Sequence, residues 1–247
     1  MSISRDQQRE KYEQDSRYHA EVDDFDNIYS LRSEAGRYFE LRRLSCYLSI
    51  INRHRLNFKD TRILDLGCHH GFYANLFAYL KRSSDDVCGY DFIDTYLDVA
   101  KRVNSSIEYS QQDVFELDDR NGQVDFILLN YLFGCIPEAD APGVAARIDS
   151  VLKPDGHILF FDFYNSKLFY GLARLALGKE KARAYPAYDK QRLSVIFPNL
   201  KVIESRQIIP AFWNRLIRWK CPYFFLDMIE PVWMRRYFVA LMQKPSA

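Results

Sequence analysis

The chain lacks the features that mark several classes of protein. It has no uninterrupted apolar run of about 18 residues, so we expect no membrane-spanning helix. Its polar N-terminal stretch, MSISRDQQREKYEQD, does not have the pattern of a secretory signal. Its five cysteines are scattered and form no CxxC pair, which argues against a disulfide scaffold or a structural zinc site. We therefore expect a cytoplasmic protein.

Repeats and flexible linkers are also missing. No segment is rich in proline, glycine or serine, and 48% of the residues are hydrophobic, which excludes a disordered or low-complexity chain. The 247 residues are consistent with a single domain that carries elaborations. We divide it into a helical cap (1–60), a ligand-binding core (61–165), and substrate-side helices with a terminal hairpin (166–247). An insertion at 211–234 interrupts that hairpin.

The net charge of +1 hides an asymmetry along the chain. Residues 61–165 contain 8 Lys or Arg against 17 Asp or Glu, whereas residues 166–247 contain 15 against 5. Either the two regions present faces to different partners, or the solvated surface is simply uneven in composition.

The N-terminal region predicts a helix from its apolar spacing. Over residues 34–56, apolar side chains recur at intervals of three and four, which is the period of one helix face. The residues of this predicted face are Tyr38, Leu41, Leu44, Leu48 and Ile51.

From residue 61, short apolar runs alternate with amphipathic stretches. The runs TRILDLG, VCGYD, IEYSQQD, VDFILLN and HILFFDF predict five strands, and the intervening segments predict helices, the last of which stops at KPDG. Such alternation is typical of a parallel sheet with helices on both faces. After residue 165, two more helices are predicted, and LKVIESRQII and RRYFVALMQK have the composition of strands.

Polar residues at the strand ends are the candidate ligands. In an open parallel sheet, ligands bind at the carboxyl ends of the strands, where Asp65, Asp91, Asp113 and Asn130 are expected. Asp91 follows Gly71 by twenty positions, which is the spacing expected of a carboxylate that binds the ribose of a nucleotide-type cofactor.

The turn after the first strand discriminates between cofactors. It reads Asp-Leu-Gly-Cys-His-His-Gly over residues 65–71, which is not the GxGxxG pattern of dinucleotide binding. The acid at the strand end would repel a pyrophosphate but suits an amine-bearing ligand such as a sulfonium amino acid. The turn therefore disfavours a nicotinamide oxidoreductase.

The ordered segments ILDLGCHHGFYA, VCGYDF, SQQDVFEL, VDFILLNYLF and VLKPDGHILFFDF resemble the class I S-adenosylmethionine-dependent methyltransferases. The resemblance implies a Rossmann-like, mostly parallel seven-stranded sheet that ends in a reversed hairpin. It also implies S-adenosylmethionine as cofactor, with S-adenosylhomocysteine as product. His69 departs from the pattern, since the family most often has glycine there. The implied cofactor residues are Asp65, Gly67, Cys68, His69, Gly71, Asp91, Phe92, Asp113, Val114, Asn130 and Tyr131.

Catalytic and acceptor-binding residues are less defined by the sequence. An acceptor hydroxyl needs a base, for which the candidates are His19, His69, His70 and Tyr131, whereas an amine acceptor needs none. No metal-ligand cluster is evident, so we expect no metal. The candidate substrate residues are Tyr12, Tyr18, Tyr164, Trp213, Arg215 and Arg218.

The sequence thus predicts O- or N-methylation of a small molecule or glycan, with an anionic acceptor suited to the basic, Trp-rich insertion. The same insertion would also suit peripheral docking on an anionic membrane. We expect no nucleic-acid partner, and the sequence does not indicate an oligomeric state. Two alternatives stay open: a catalytically silent adenosyl-ligand-binding partner protein, and a methyltransferase of a lipid-linked or nucleic-acid substrate.

Overall fold

A computed structural model describes Glu10 and residues 33–117, 123–164, 187–210 and 235–246. The described helices are α1 (Glu34–Arg53), α2 (Phe72–Lys81), α3 (Asp94–Val103), α4 (Ala141–Val151) and α5 (Lys190–Ile196). The described strands are β1 (Ile63–Leu66), β2 (Val87–Asp91), β3 (Glu108–Gln111), β4 (Val124–Asn130), β5 (Leu152–Phe163), β6 (Lys201–Pro210) and β7 (Arg235–Gln243). Two single turns of 3-10 helix, Val114–Glu116 and Phe133–Cys135, follow β3 and β4.

The strands form one seven-stranded sheet in the order β3-β2-β1-β4-β5-β7-β6. β1 pairs in parallel with both β2 and β4, β2 pairs in parallel with β3, and β4 pairs in parallel with β5. Every residue of β1 and β2 is buried, as their apolar runs predict for strands covered on both faces. Strand order reverses at β1, so the carboxyl end of β1 lies at the topological switch point, where such sheets bind ligands.

The seventh strand runs against its neighbour. The Tyr164 N–H donates to the carbonyl of Arg236, while the Asp155 N–H, near the other end of β5, donates to the carbonyl of Lys244. This crossed pairing makes β7 antiparallel to β5. The predicted fold class, a mostly parallel seven-stranded α/β sheet with a reversed edge, is confirmed.

The chain divides into two compact units. One comprises Met1–His54, Tyr164–Ala184 and Arg206–Phe238, and the other comprises Arg55–Phe163, Tyr185–Ser205 and Val239–Ala247. The second unit contains β1 to β5 with their helices, and all the site geometry described below belongs to it. Our assignment of the chain to a single domain stays a prediction.

The predicted apolar face of α1 is wrong apart from Tyr38, which is buried. Leu41 and Leu48 are exposed, at 63% and 38%, and most of the buried residues lie on nearly the opposite side of the helix. Phe39 packs edge-on against Tyr237, and the guanidinium of the buried Arg43 lies over the Phe39 ring. Arg43 is neutralised by an ion pair with Glu40, which allows an arginine on the buried face.

The predicted stop at KPDG differs from the structure, and several predicted segments cannot be compared with it. The helix before KPDG ends at Val151, but KPDG is not a turn between elements, because β5 starts at Leu152 and includes it. Asp155 has a φ of 61° there, and the Lys244 N–H donates to the Gly156 carbonyl, so this bulged stretch pairs with the end of the chain. The cap before residue 33, the helix predicted at 165–185 and the insertion at 211–234 lie outside the described residues.

Candidate functional site

The turn between β1 and α2 has a backbone that glycine favours. Gly67 and Gly71 both have φ of 74°, and His69 between them has φ of 51°. Asp65, two residues from the start of the turn, is only 1% exposed. The N–H groups of Gly67 and Cys68 donate to the Tyr90 carbonyl at 2.8 and 3.1 Å, which fixes the start of the turn against β2.

His69 stands where the methyltransferase pattern most often has glycine, and its backbone lies in the left-handed region that glycine favours. A non-glycine residue in this region costs about 1–2 kcal/mol, although glycine also adds unfolded-state entropy. We expect His69→Gly to change the free energy of unfolding by less than about 1 kcal/mol, and His69→Val, which places a β-branched residue at positive φ, to lower it by more. Urea unfolding measures both. A large loss of stability in His69→Gly would mean that the ring contacts outweigh backbone strain.

Asp91, the last residue of β2, connects the first turn to the second strand. Its Oδ2 accepts the His69 N–H at 2.9 Å and its Oδ1 accepts the Ile93 N–H at 3.0 Å. Burial raises the pKa of this carboxyl, and the N–H groups of Ile93, His69 and Phe92 act in the opposite direction. A carboxylate has about four acceptor positions, so two backbone bonds leave capacity for a pair of ligand hydroxyls.

Beneath the turn lies Tyr109 of β3, which the sequence did not single out. A Cβ on Gly71 would collide with the Tyr109 hydroxyl and lie 2.8 Å from its Cζ, and a Cβ on Gly89 would lie 2.7 Å from the same ring. The Tyr109 hydroxyl accepts a hydrogen bond from Asn75, whose amide also donates to the Gly71 carbonyl at 2.8 Å. The two glycines are therefore required by the tyrosine under them.

Cys68 has its side chain in the interior. It is 5% exposed, and its thiol makes a weak contact, 3.8 Å, to the His69 carbonyl. Burial, followed by the nearby carboxylates of Asp65 and Asp91, raises the pKa of the thiol well above its usual range. The Cys68 thiol therefore stays protonated, and both carboxylates act on it.

The end of β3 places the third acid at the same edge. The Gln112 N–H donates to the Asp91 carbonyl at 2.9 Å, so the two strand ends adjoin. Asp113 caps the 3-10 turn that begins with Val114, and its Oδ1 accepts the Phe115 N–H. Phe92, half-buried, accepts a hydrogen bond from Gln111 at its carbonyl.

The end of β4 lies on the other side of β1. Asn130 pairs with Phe161 of β5, and Tyr131 adopts a left-handed φ of 57°. The next residue, Leu132, is 3.6 Å from the position of a Cβ on Gly67. The segment after β4 therefore borders the turn after β1, and the sheet brings together the strand-end residues that the sequence predicts.

Two histidines and a tyrosine form an aromatic cluster at the turn. The ring centroids of His69 and His70 are 4.0 Å apart, and Tyr96 of α3 lies 3.7 Å from His69 and 5.0 Å from His70. The His70 Nε2 atom is buried and has no hydrogen-bond partner among the residues that the structure describes. Burial lowers the pKa of His70, which keeps the ring neutral at pH 7.

The remaining predicted residues lie either outside the described ranges or in the first compact unit. Tyr12, Tyr18, His19, Trp213, Arg215 and Arg218 lie outside the described residues. Tyr164 belongs to the first compact unit, where its ring stacks on Phe238 with centroids 6.2 Å apart.

Sequence reasoning also missed Asp162, a fully buried carboxylate near the end of β5. It lies inside the apolar run HILFFDF, which we interpreted only as a core strand. An acid between two phenylalanines in such a run could have been noticed, because a buried charge requires partners.

The donor set fits an adenosyl amino-acid cofactor better than a dinucleotide. Three acids, Asp65, Asp91 and Asp113, lie at or near the carboxyl ends of three adjacent strands, and two of them, Asp65 and Asp91, act on the Cys68 thiol. Such a set complements an ammonium group, ribose hydroxyls and an adenine amine, whereas a pyrophosphate would meet like charge. Within the described ranges, no three His, Cys, Asp or Glu side chains converge as metal ligands. In the same ranges, no helix combines the length and apolarity needed to cross a membrane.

A family comparison agrees with this geometry. Residues 63–156, from the start of β1 into β5, match the model of a family described as a methyltransferase domain. No curated protein sequence matches the chain.

Solved structures share the fold at low sequence identity. An S-adenosylmethionine-dependent methyltransferase from Anabaena variabilis is 11% identical with a TM-score of 0.63, and the match covers 98% of this chain and 96% of the other. The N-methyltransferase NodS from Bradyrhizobium japonicum, solved with S-adenosylhomocysteine, is 13% identical with a TM-score of 0.60, covering 95% and 98%. The O-methyltransferase region of StiE is 17% identical with a TM-score of 0.55, covering 86% and 77%.

Proposed function

We propose that the chain is a class I S-adenosylmethionine-dependent methyltransferase that methylates an oxygen or nitrogen atom of a small molecule or glycan. Residues 63–156 match the model of a methyltransferase domain, which supports the proposal. The observation that carries the proposal is the row of acids at the carboxyl ends of β1, β2 and β3, beside a glycine-bearing turn. We place the reaction in the cytoplasm, in keeping with the scattered cysteines.

Each acid has a proposed partner on the cofactor. Asp91 would accept the two ribose hydroxyls, because Oδ1 and Oδ2, which accept the N–H groups of Ile93 and His69, each have two acceptor positions. Asp113 would face the adenine amine, with Phe92 and Val114 as apolar neighbours of the ring. Asp65 and the turn at 67–71 would face the amino-acid end.

Methyl transfer requires chiefly that donor and acceptor be aligned. S-adenosylmethionine supplies an electrophilic methyl group on a sulfonium, so the protein contributes orientation and exclusion of water. Asn130 and Tyr131 end β4 beside the turn at Gly67, and we assign them to the face that the acceptor approaches. NodS and StiE, an N- and an O-methyltransferase, show that this fold serves both acceptor atoms.

His70 is the proposed base for a hydroxyl acceptor. Its ring is neutral at pH 7 and its Nε2 has no partner in the described residues, so it keeps the capacity to accept a proton. We expect His70→Gln to lower kcat for a hydroxyl acceptor by about 10²-fold or more while S-adenosylhomocysteine affinity is retained. His54→Gln, at the end of α1, is the matched control. Equal kcat in both variants would remove the base assignment.

The acceptor class is tested by turnover. The full chain is incubated with methyl-labelled S-adenosylmethionine and a panel of amines, phenols, carboxylates, sugars, lipid-linked sugars and RNA. We expect label in a small molecule or a sugar, with anionic acceptors preferred. Label found only in lipid-linked sugars or RNA would contradict the proposed substrate class but not methyl transfer itself.

A further inference from the structure

We propose that Asp162 is a positioning residue for methyl transfer, which fixes the loop after β4 and thereby Asn130 and Tyr131. The loop comprises residues 131–136. The inference rests on the proposed function, since it assumes that these two residues face the reacting methyl group.

The loop has a backbone that must be held in place. Tyr131 has a φ of 57°, a conformation that is unfavourable for a residue with a side chain. A 3-10 turn, Phe133–Cys135, follows at once. Leu132 lies beside Gly67, so any movement of the loop reaches the turn that carries the proposed cofactor residues. Strain of this kind persists only where the surroundings fix it.

Three hydrogen bonds fix the loop to its surroundings. The Tyr131 N–H donates to the Phe161 carbonyl at 2.9 Å. The Gly134 N–H donates to Oδ2 of Asp162 at 2.6 Å, and the Tyr188 hydroxyl donates to the Phe133 carbonyl at 2.9 Å. Asp162 supplies the only one of these three bonds that involves a charged group, which makes it the strongest type of the three.

The Asp162 carboxylate packs tightly against the backbone of the loop at Gly134. The carboxylate is 0% exposed, and its Oδ1 accepts the N–H of Phe163 at 2.8 Å. A Cβ on Gly134 would lie 2.7 Å from Oδ1, so only glycine allows the loop to approach this carboxylate. Both oxygens of Asp162 therefore act as hydrogen-bond acceptors.

Among the described residues, four charged or titratable groups lie around this carboxylate. Arg192 of α5 is the cation that favours its ionised form, and Arg192 also pairs with the exposed Glu138 at 2.9 Å. Tyr188, which precedes α5, lies under the Arg192 guanidinium, and Cys135 lies near Tyr188. Burial raises the pKa of Asp162 to about 7, against the effect of the two N–H donors and Arg192.

Protonation would change the geometry of the loop. The carboxylate accepts from two N–H groups, whereas the carboxylic acid carries a proton on one oxygen, which then becomes a donor and a poor acceptor. One of the two N–H bonds is therefore weakened on protonation. The loop should therefore be fully fixed above about pH 7 and loosened below it, because the raised pKa places protonation in this range. If Asp162 only stabilised the fold, the environment of the methyl group of bound S-adenosylmethionine would not change with pH in this range.

The test uses S-adenosylmethionine labelled with ¹³C at the methyl group and bound to the full chain. We expect its methyl chemical shift to titrate between about pH 5.5 and 8.5 with a midpoint near 7, because Tyr131 changes position with Asp162 ionisation. Asp162→Asn should abolish this midpoint. Tyr188→Phe, which removes a neutral bond to the same loop, should keep it.

Each outcome bears on a definite claim. A flat titration in the unaltered chain would overturn the inference, whether or not Asp162→Asn folds. The same midpoint in Asp162→Asn would also overturn it, by assigning the titration to another group. No bound methyl signal at any pH would instead refute the proposed function, and the inference with it.

Discussion

Gly71→Ala is expected to lose about 2–5 kcal/mol of unfolding free energy and all measurable S-adenosylhomocysteine binding. Two effects add. Alanine at a φ of 74° costs about 1–2 kcal/mol. Its Cβ would also collide with the hydroxyl of Tyr109, which is buried and fixed by Asn75, and overpacking of this kind costs about 1–3 kcal/mol. Urea unfolding and calorimetry with S-adenosylhomocysteine measure the two consequences.

Gly143→Ala is the matched control. Gly143 lies within α4, where a Cβ would meet no atom within 4 Å. Alanine there should raise the free energy of unfolding by about 0.5–1 kcal/mol, because glycine is a poor helix former. If Gly71→Ala were as stable as the unaltered chain, the backbone described for the turn would be wrong.

Asp91→Ala is expected to weaken binding of S-adenosylhomocysteine by at least tenfold, and by about a hundredfold if both ribose bonds are lost. Each charge-assisted hydrogen bond contributes about 1.5–3 kcal/mol, and 1.4 kcal/mol is a factor of ten. The variant also removes the acceptor for the N–H groups of His69 and Ile93, which adds disorder in the turn. Calorimetry measures the affinity, and circular dichroism checks the fold.

Asp98→Ala provides the comparison for charge alone. Asp98 is an exposed acid on α3, close in sequence to Asp91 but away from the strand end. It should leave the affinity for S-adenosylhomocysteine within about twofold, since exposed charges contribute little. Equal affinity in Asp91→Ala and Asp98→Ala would contradict the assignment of Asp91 to the ribose.

The strands, and the sheet edge at which the candidate residues gather, could be predicted because two signals coincide there. Each parallel strand is a short apolar run, since helices cover both faces, and Asp65, Asp91 and Asn130 each lie at or near the end of such a run. The alternation of runs and amphipathic stretches then fixes the order of elements.

The buried side of α1 could not be predicted from apolar spacing. Leucines suggest one face, but the interior contacts there are made by Phe39, Tyr47 and an ion-paired Arg43. Periodicity counts hydrophobic residues and gives no weight to a neutralised arginine or to a tyrosine that is fully buried.

Tyr109 and Asp162 were missed for a related reason. Both lie inside predicted strands, and a strand prediction says which residues alternate but not which neighbours they touch. The contact of Tyr109 with Gly71 spans 38 positions, and that of Asp162 with Gly134 spans 28, so neither is visible as a local pattern.

A crystal structure of the full chain with S-adenosylhomocysteine tests the central claim most directly. We expect the ribose hydroxyls within about 3 Å of the Asp91 carboxylate oxygens, the adenine beside Asp113, and the amino-acid end against the turn at 67–71. Ligand bound elsewhere, or no ligand at saturating concentration, would contradict the assignment of this sheet edge as the cofactor site.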